Sequence, residues 1–337
     1  MKRIIVDMMG GDYAPAETVK GVAQAKAELG EGIEYVLVGD REQIEAVAAD
    51  NAIDLSSFEI VHAPTVITME DDPVCVMKSK QDSSMSVALR MLKEGQGDAL
   101  VSTGNTGALF AGATLIVRKV KGVRRPAIAA LLPFQPPVLL VDSGANVVAT
   151  PEYLEQFAVL GSAYMKNVMG VENPRVGLLN NGVEEHKGTE LQIETYKLLS
   201  ANEAVNFVGN VEANAVMQNA CDVLVADGFS GNIFLKAIEG LGKMMLLTLK
   251  DTFYKSPRTK TSALLIKGEL DEIKKNFDAT ELGGAPILGV NKPVIKAHGS
   301  SKAKAFKNAI RQAVAFADTD MAAELERILA PSEDSEK

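Results

Sequence analysis

Residues 3–29 decide the fold class: Arg3-Ile4-Ile5-Val6-Asp7, then Met8-Met9-Gly10-Gly11-Asp12-Tyr13-Ala14-Pro15, then the polar-apolar segment from Ala16 to Leu29. A short unbroken β-branched run, a glycine-rich polar turn and a stretch of helical length form one strand–loop–helix unit. The unit recurs: YVLVGD, DALVS before TGNTG, VLLVD before SGAN, RVGLLN before NGVEEHKG, DVLVAD before GFSGN, and VIKA before HGSS. Helical segments lie between them, such as Ser83 to Gly95, Pro151 to Met169 and Lys302 to Ile328. Continuous rather than alternating apolar strands mark burial on both faces, so the pattern predicts a three-layer α/β fold with a mostly parallel sheet.

One region breaks the rhythm. From Ile233 to Phe277 no strand is legible, only two helical patterns separated by Ser256-Pro257. Leu241, Met245 and Leu249 recur at four-residue spacing, with Leu246 and Phe253 beside them. Ile266, Leu270, Ile273 and Phe277 form a second apolar face. Pro257 stops the first helix, and Thr261 or Ser262 is expected to cap the second. The reading is a helical hairpin, residues 233–277, inserted in a single α/β body of residues 1–330, with a charged, frayed tail at 331–337. Two roles fit: dimer packing near the body, and lipid contact at a tip where Lys250, Lys255, Arg258, Lys260 and Lys267 interleave with Leu249, Phe253, Leu264 and Leu265.

Bulk properties narrow the class. The 337 residues are 47% hydrophobic and 23% charged, an ordinary globular balance, while a net charge of −9 opposes general nucleic-acid binding. Two cysteines, Cys75 and Cys221, make neither a disulfide framework nor a metal site and suit a reducing compartment. The first apolar run meets Asp7 at once, and the longest apolar region, Ala127 to Val141, contains Pro133, Pro136 and Pro137. Neither an export signal nor a membrane span is expected. A cytoplasmic protein with at most peripheral membrane contact follows.

The strand ends carry the chemistry, because ligands of open α/β sheets bind beyond the carboxyl ends of the strands. Six glycine-rich polar loops stand there and are expected to share one rim: Met9 to Asp12, Ser102 to Gly107, Asp142 to Asn146, Asn180 to Gly188, Asp227 to Asn232, and His298 to Ser301. Glycine lets backbone amides approach and cradle an anion. No dinucleotide fingerprint or nucleotide-phosphate loop is present, and Gly228-Phe229-Ser230-Gly231-Asn232 lacks the last glycine of a nucleophile elbow. None of His62, His186 and His298 starts an H-x-x-x-x-D pattern, and Glu70-Asp71-Asp72 reads as a solvated turn. No metal and no cofactor are expected. An enzyme so equipped lets its substrate supply the nucleophile, and phosphate held by amides and a lysine fits that need.

The motifs resemble those of the bacterial fatty acyl-carrier-protein:phosphate acyltransferases. The matching stretches are Asp7-x-Met9-Gly10-Gly11-Asp12-x-x-Pro15, Ser102-Thr103-Gly104-Asn105-Thr106-Gly107, Asp142-x-Gly144-Ala145-Asn146, GVEEHKG at 182–188, Asp227 to Asn232, and His298-Gly299-Ser300-Ser301. They follow the family order from residue 7 to 301. The resemblance implies a fold like that of isocitrate dehydrogenases and phosphotransacetylases, a homodimer, and a metal-free reaction of acyl-carrier-protein thioester with inorganic phosphate. It further implies that the acyl phosphate feeds a glycerol-phosphate acyltransferase of phospholipid synthesis, and that the hairpin touches the bilayer.

Single residues keep two readings. Lys187 alone is a surface lysine; within the matched motif it holds phosphate or the charge growing on the thioester oxygen, and the resemblance marks it as critical. Asn232 is a helix cap or an oxyanion donor. His298 is a packed histidine or, with Gly299 and Ser300, a phosphate contact. Asp7 and Asp12 repel phosphate and are expected to orient its donors. The remaining substrate-site candidates are Gly10, Gly11, Thr103, Gly104, Asn105, Thr106, Asp142, Asn146, His186, Asp227 and Ser230. Cys221 is the least suitable nucleophile, its neighbours suggesting a buried strand edge. Carrier docking is expected on Arg118 to Arg125 or on the Lys-rich stretch from Lys292 to Lys307. A phosphotransacetylase-type enzyme using coenzyme A thioesters, and a non-catalytic membrane scaffold, are the alternatives.

Overall fold

Successive side chains of an extended strand point to opposite faces, so each apolar strand of this chain feeds two cores. In β1 (Lys2–Asp7), Ile4 and Val6 enter one core and Ile5 the other; in β2 (Ile33–Gly39), Leu37 opposes Val36 and Val38. The computed structural model describes residues 1–276 and 282–330. The other strands are β3 (Glu59–His62), β4 (Ala99–Ser102), β5 (Ala127–Leu132), β6 (Val138–Val141), β7 (Arg175–Asn180), β8 (Asn206–Glu212), β9 (Val223–Val225), β10 (Ala285–Leu288) and β11 (Val294–Lys296). The helices are α1 (Ala16–Leu29), α2 (Arg41–Asp50), α3 (Ser84–Lys93), α4 (Thr106–Gly112), α5 (Pro151–Asn167), α6 (Glu190–Ala201), α7 (Ala213–Val216), α8 (Gly228–Tyr254), α9 (Pro257–Leu265), α10 (Lys267–Asn276), α11 (Ala303–Ala317) and α12 (Met321–Ile328). Helices α2, α1, α11, α5 and α6 cover one face of the sheet; α3 and α4, then α7 and the start of α8, cover the other. This is the three-layer α/β arrangement the sequence predicts.

All eleven strands form one sheet, ordered β3-β2-β1-β4-β11-β10-β5-β6-β9-β7-β8. Pairing is parallel except at β11/β10, β10/β5 and β5/β6. Three antiparallel steps reverse the strand sense. The loops after β1, β4 and β11 therefore leave one end of the ladder, and those after β6, β7 and β9 leave the other. The expectation of a single rim for all six loops is corrected here, because β10 and the β5–β6 hairpin, neither read from the sequence, stand between the halves.

Residues 228–276 are helical, with different punctuation from that expected. Phe234, Leu235 and Ile238 of α8 join the body's core, and beyond them every described residue of α8 and α9 is partly or fully exposed. Ser256, not Thr261 or Ser262, caps α9: its hydroxyl accepts from Thr259 N–H, and Pro257 takes the first helical position. Thr261 and Ser262 instead donate back to the carbonyls of Pro257 and Arg258. The second pattern is broken at Ile266, between α9 and α10, while Phe277 and the 331–337 tail lie outside the described residues. The expected helix from Lys302 to Ile328 is likewise two, split at Asp318-Thr319-Asp320.

Candidate active site

Three loops converge after β1, β4 and β11. Asp7 closes β1, is 1% exposed, and accepts from Ser84 Oγ (2.7 Å), Ser102 Oγ (2.6 Å) and Met9 N–H (3.3 Å). Burial pushes its carboxyl above the ordinary value, against the pull of those donors and of the Lys296 charge. Beside it the backbones of two loops touch: a Cβ added to Gly10 would lie 2.5 Å from Gly104 N, and Gly11, at φ +94°, faces Thr103 and the Gly299 carbonyl. The Thr103 hydroxyl donates to Gly10 O, and Asp12 N–H donates to Gly299 O at 2.8 Å. Asp12 itself is exposed.

Asn105 fixes the outer wall. It caps α4 by accepting from Ala108 N–H, and its amide donates to the carbonyls of Thr68, Met69 and Asp71. The acidic run is thus a held turn, with Asp71 pulled down to about 2 by Lys80 and by the Thr68 N–H and hydroxyl. Thr106 and Ser300 are exposed; His298 Nδ1 pairs with Ser300 Oγ at 2.8 Å and closes its own turn, so His298 is not a packed core residue.

The sequence reading missed the cation of this cluster. Lys296 ends β11 at 8% exposure, and its ammonium donates to the carbonyls of Thr103 (3.3 Å) and Ala297. Burial lowers its pKa from 10.5 to about 8, against Asp7 and Asp12, whose charges raise it. Its burial also removes it from the Lys292–Lys307 docking surface. The available signal was a lysine inside the apolar run VIKA, directly before a glycine turn.

A second network joins the loops after β6 and β9. Asp142 is fully buried and accepts five N–H bonds, from Ile128, Gly144, Ala145 and, twice, Asn146. Burial raises its pKa, and these donors oppose the shift. Asn146 also donates to Pro126 O and accepts from Gly228 N–H, tying the turn to the start of α8. Asp227, with its carboxylate on Phe229 and Ser230 N–H, is the cap of α8. Asn232 therefore lies one turn inside the helix. It is exposed, faces Gly144, and its side-chain amide has no hydrogen-bond partner among the described residues. Asp142, Asn146 and Asp227 organise backbone; Asn232 is the donor left to act.

Strand β7 pairs with β9, so the GVEEHKG loop flanks this network. Lys187 folds its aliphatic stem over Gly182, whose added Cβ would meet Lys187 Cγ at 2.9 Å. The loop is held by Asn180 to Lys187 O and by Asn210 to Glu184 O. Lys187 and His186 are exposed. Asn210, buried on β8, was also missed, because the polar strand NFVGNVE gives no β signal. Val147, Val148, Val183, Phe229 and Ile233 around these loops are exposed apolar residues. Cys221 is buried in β9's approach, its thiol pushed up to about 12 by burial and by Asp222, which leaves no thiolate for attack.

Known proteins resemble this chain in sequence and in fold. A family model described as fatty acid synthesis protein matches residues 2–324. A phosphate acyltransferase of Acetivibrio thermocellus is 46% identical over 317 residues, 94% of this chain and 93% of that protein. One from Thermoanaerobacterium thermosaccharolyticum is 44% identical, covering 96% of each. In fold, the chain is similar to a phosphotransacetylase from Streptococcus pyogenes, with TM-score 0.66 at 17% identity over 94% of each chain. A phosphotransacetylase from Staphylococcus aureus gives 0.62 at 16% identity, over 96% of this chain and 94% of that one. The chain therefore belongs to the phosphate acyltransferase family of fatty acid synthesis proteins.

Proposed function

We propose that this acyltransferase converts an acyl-carrier-protein thioester and inorganic phosphate to acyl phosphate and free carrier protein, by direct attack of a phosphate oxygen on the thioester carbon. The observation that carries the reading is the second network: an uncommitted Asn232 amide and the Lys187 ammonium beside exposed Val147, Val148, Val183, Phe229 and Ile233. Polar donors bordered by apolar surface suit a thioester whose acyl chain is hydrophobic.

In this reading the loops at Gly10-Gly11, Thr103 to Thr106 and His298 to Ser300 receive phosphate, while Lys187 and Asn232 stabilise the tetrahedral oxyanion. The thiolate leaves without a general acid, since a free thiol has a pKa of about 8.5. The two loop groups have opposite ladder senses, but twist of roughly 20–25° per strand accumulates over the five steps from β4 to β9. It amounts to about 100–125° and leaves about 55–80° between the two strand directions, so both groups can face one cleft. The acidic carrier protein docks on exposed Arg118, Lys119, Lys121, Arg124 and Arg125, a loop joined to the Asp142 turn through Pro126.

The arm adds two further parts. Exposed Leu241, Met244, Met245 and Leu247 on α8 supply a homodimer contact, and Leu264 and Leu265, 73% and 82% exposed at the tip, supply shallow membrane insertion. Acyl phosphate is a reactive mixed anhydride and is consumed by an acyltransferase acting on glycerol phosphate. The decisive assay incubates purified protein with long-chain acyl-carrier-protein thioester and phosphate, beside acetyl-coenzyme A. Acyl-phosphate formation only from coenzyme A thioester would replace this reading with a phosphotransacetylase. Lys187→Ala should keep the fold and lose at least about tenfold in turnover; a folded variant with near-normal turnover removes the oxyanion role.

A further inference from the structure

We propose that Lys296 is the resident cation of the phosphate subsite, an inference that rests on phosphate being the acyl acceptor. A charge taken out of water needs a partner, and Lys296 has an incomplete set. Its ammonium carries three donors; two go to the neutral carbonyls of Thr103 and Ala297. No carboxylate of the described residues lies within the 4.0 Å of an ion pair. Asp7, the buried acid whose charge reaches it, directs its hydrogen bonds to Ser84, Ser102 and Met9 and makes none with the ammonium. Asp12, the other, is exposed on the neighbouring loop. The buried ammonium thus keeps a donor and a charge for an anion that the chain does not supply.

Its position gives that anion a place. Lys296 stands at the carboxyl end of β11, beside β4 and the loop that follows it, with the loop after β1 next in the sheet order, where parallel strands offer ligand sites. Gly10, Gly11 and Gly104 leave bare backbone there: an added Cβ at any of the three would meet neighbouring atoms at 2.9 Å or less. Inorganic phosphate, compact and anionic, matches a buried point charge flanked by bare backbone.

The test uses the whole protein with Lys296→Met and, should that variant not fold, Lys296→Gln. Melting is followed across a titration of inorganic phosphate, and KM for phosphate and for the thioester are determined separately. The proposal expects phosphate to raise the wild-type melting temperature and not that of the variants. It also expects phosphate KM to rise at least about tenfold, the worth of one charged hydrogen bond, with thioester KM within about threefold. Equal phosphate-induced stabilisation in wild type and variants would overturn the proposal while leaving the acyl-phosphate reading intact. No wild-type stabilisation at saturating phosphate, together with no phosphate-dependent turnover, would overturn that reading and this one with it. A matched rise in both KM values would show that Lys296 only holds the loops together, which also overturns it.

Discussion

Replacing Gly231 by alanine tests whether α8 is seated on the Asp142 turn. The new Cβ would lie 2.0 Å from the Asp142 carbonyl oxygen, and real Cβ contacts essentially never fall below 3.0 Å, so the two backbones must part by at least 1.0 Å. Overpacking of this kind costs about 1–3 kcal/mol; backbone on both sides puts it at the upper end, and the helix-propensity gain of about 1 kcal/mol offsets only part. The net loss is about 2 kcal/mol. At about 2.1 cal/mol/K per residue, 337 residues unfold with an entropy of about 0.7 kcal/mol/K, so Tm should fall by about 3 °C. Turnover should fall further, by up to about 100-fold, because a 1 Å displacement moves the adjacent Asn232. Gly240→Ala in the same helix is the control: nothing lies within 4 Å of its added Cβ, so the same substitution should raise Tm by about 1–2 °C. Scanning calorimetry and steady-state turnover on both variants give the comparison. A Gly231→Ala protein with unchanged Tm and turnover would refute the seating of α8 and, with it, the placement of Asn232.

Other expectations follow from separate parts of the molecule. Leu264→Glu with Leu265→Glu should abolish flotation on anionic liposomes while sparing detergent-free turnover; equal flotation would exclude the tip as the anchor. Charge reversal at Arg124 and Arg125 should raise KM for the carrier thioester and flatten its salt dependence, and an unchanged KM would place docking elsewhere. Lys296 titrates at about 8 when folded and 10.5 when free, so two pH trends should oppose each other, read as wild type minus Lys296→Met. The folded state holds this proton less tightly, so the group's stability contribution rises between about pH 8 and 10.5, while phosphate affinity falls as the ammonium is lost. Parallel trends would contradict the burial of a charged Lys296 facing Asp7 and Asp12.

The sequence disclosed the parts governed by local chemistry. The span Ala16 to Leu29 is α1 to the residue, and the seven apolar runs are seven strands, because burial on both faces leaves them uniformly hydrophobic. Of the four it hid, three lack this mark: β3 is short and at the sheet edge, β8 is polar NFVGNVE at the other edge, and β10 contains Pro286; β5 carries it but is merged with β6 in the apolar stretch from Ala127 to Val141. Missing β10 concealed the reversal of strand sense. In the candidate site, glycine loops marked the strand ends, but which side chains are consumed by structure was invisible. Asp142, Asp227 and Asn105 spend themselves on backbone groups, a fact of tertiary geometry. Lys296 escaped notice because a lysine's burial depends on β4 and β10 beside it, which no local pattern records.

The place of β10 and β11 in the sheet has a consequence for how the protein is made. A chain emerging from the ribosome tends to fold from its first residues, yet here the first half cannot close that way. Strand β4 and strand β5 each have one neighbour from the first 141 residues and must wait for the pair at 285–296 to fill the gap between them. The helix that covers α1 arrives later still, when Ala303 N–H meets Glu17. Throughout synthesis of the intervening residues β4 therefore presents an open edge, a template for pairing with other chains. The middle segment, whose strands β6, β9, β7 and β8 are mutual neighbours, is free to form first. Completion of the sheet is a late, long-range insertion, so truncation near the carboxyl terminus damages the residues translated earliest.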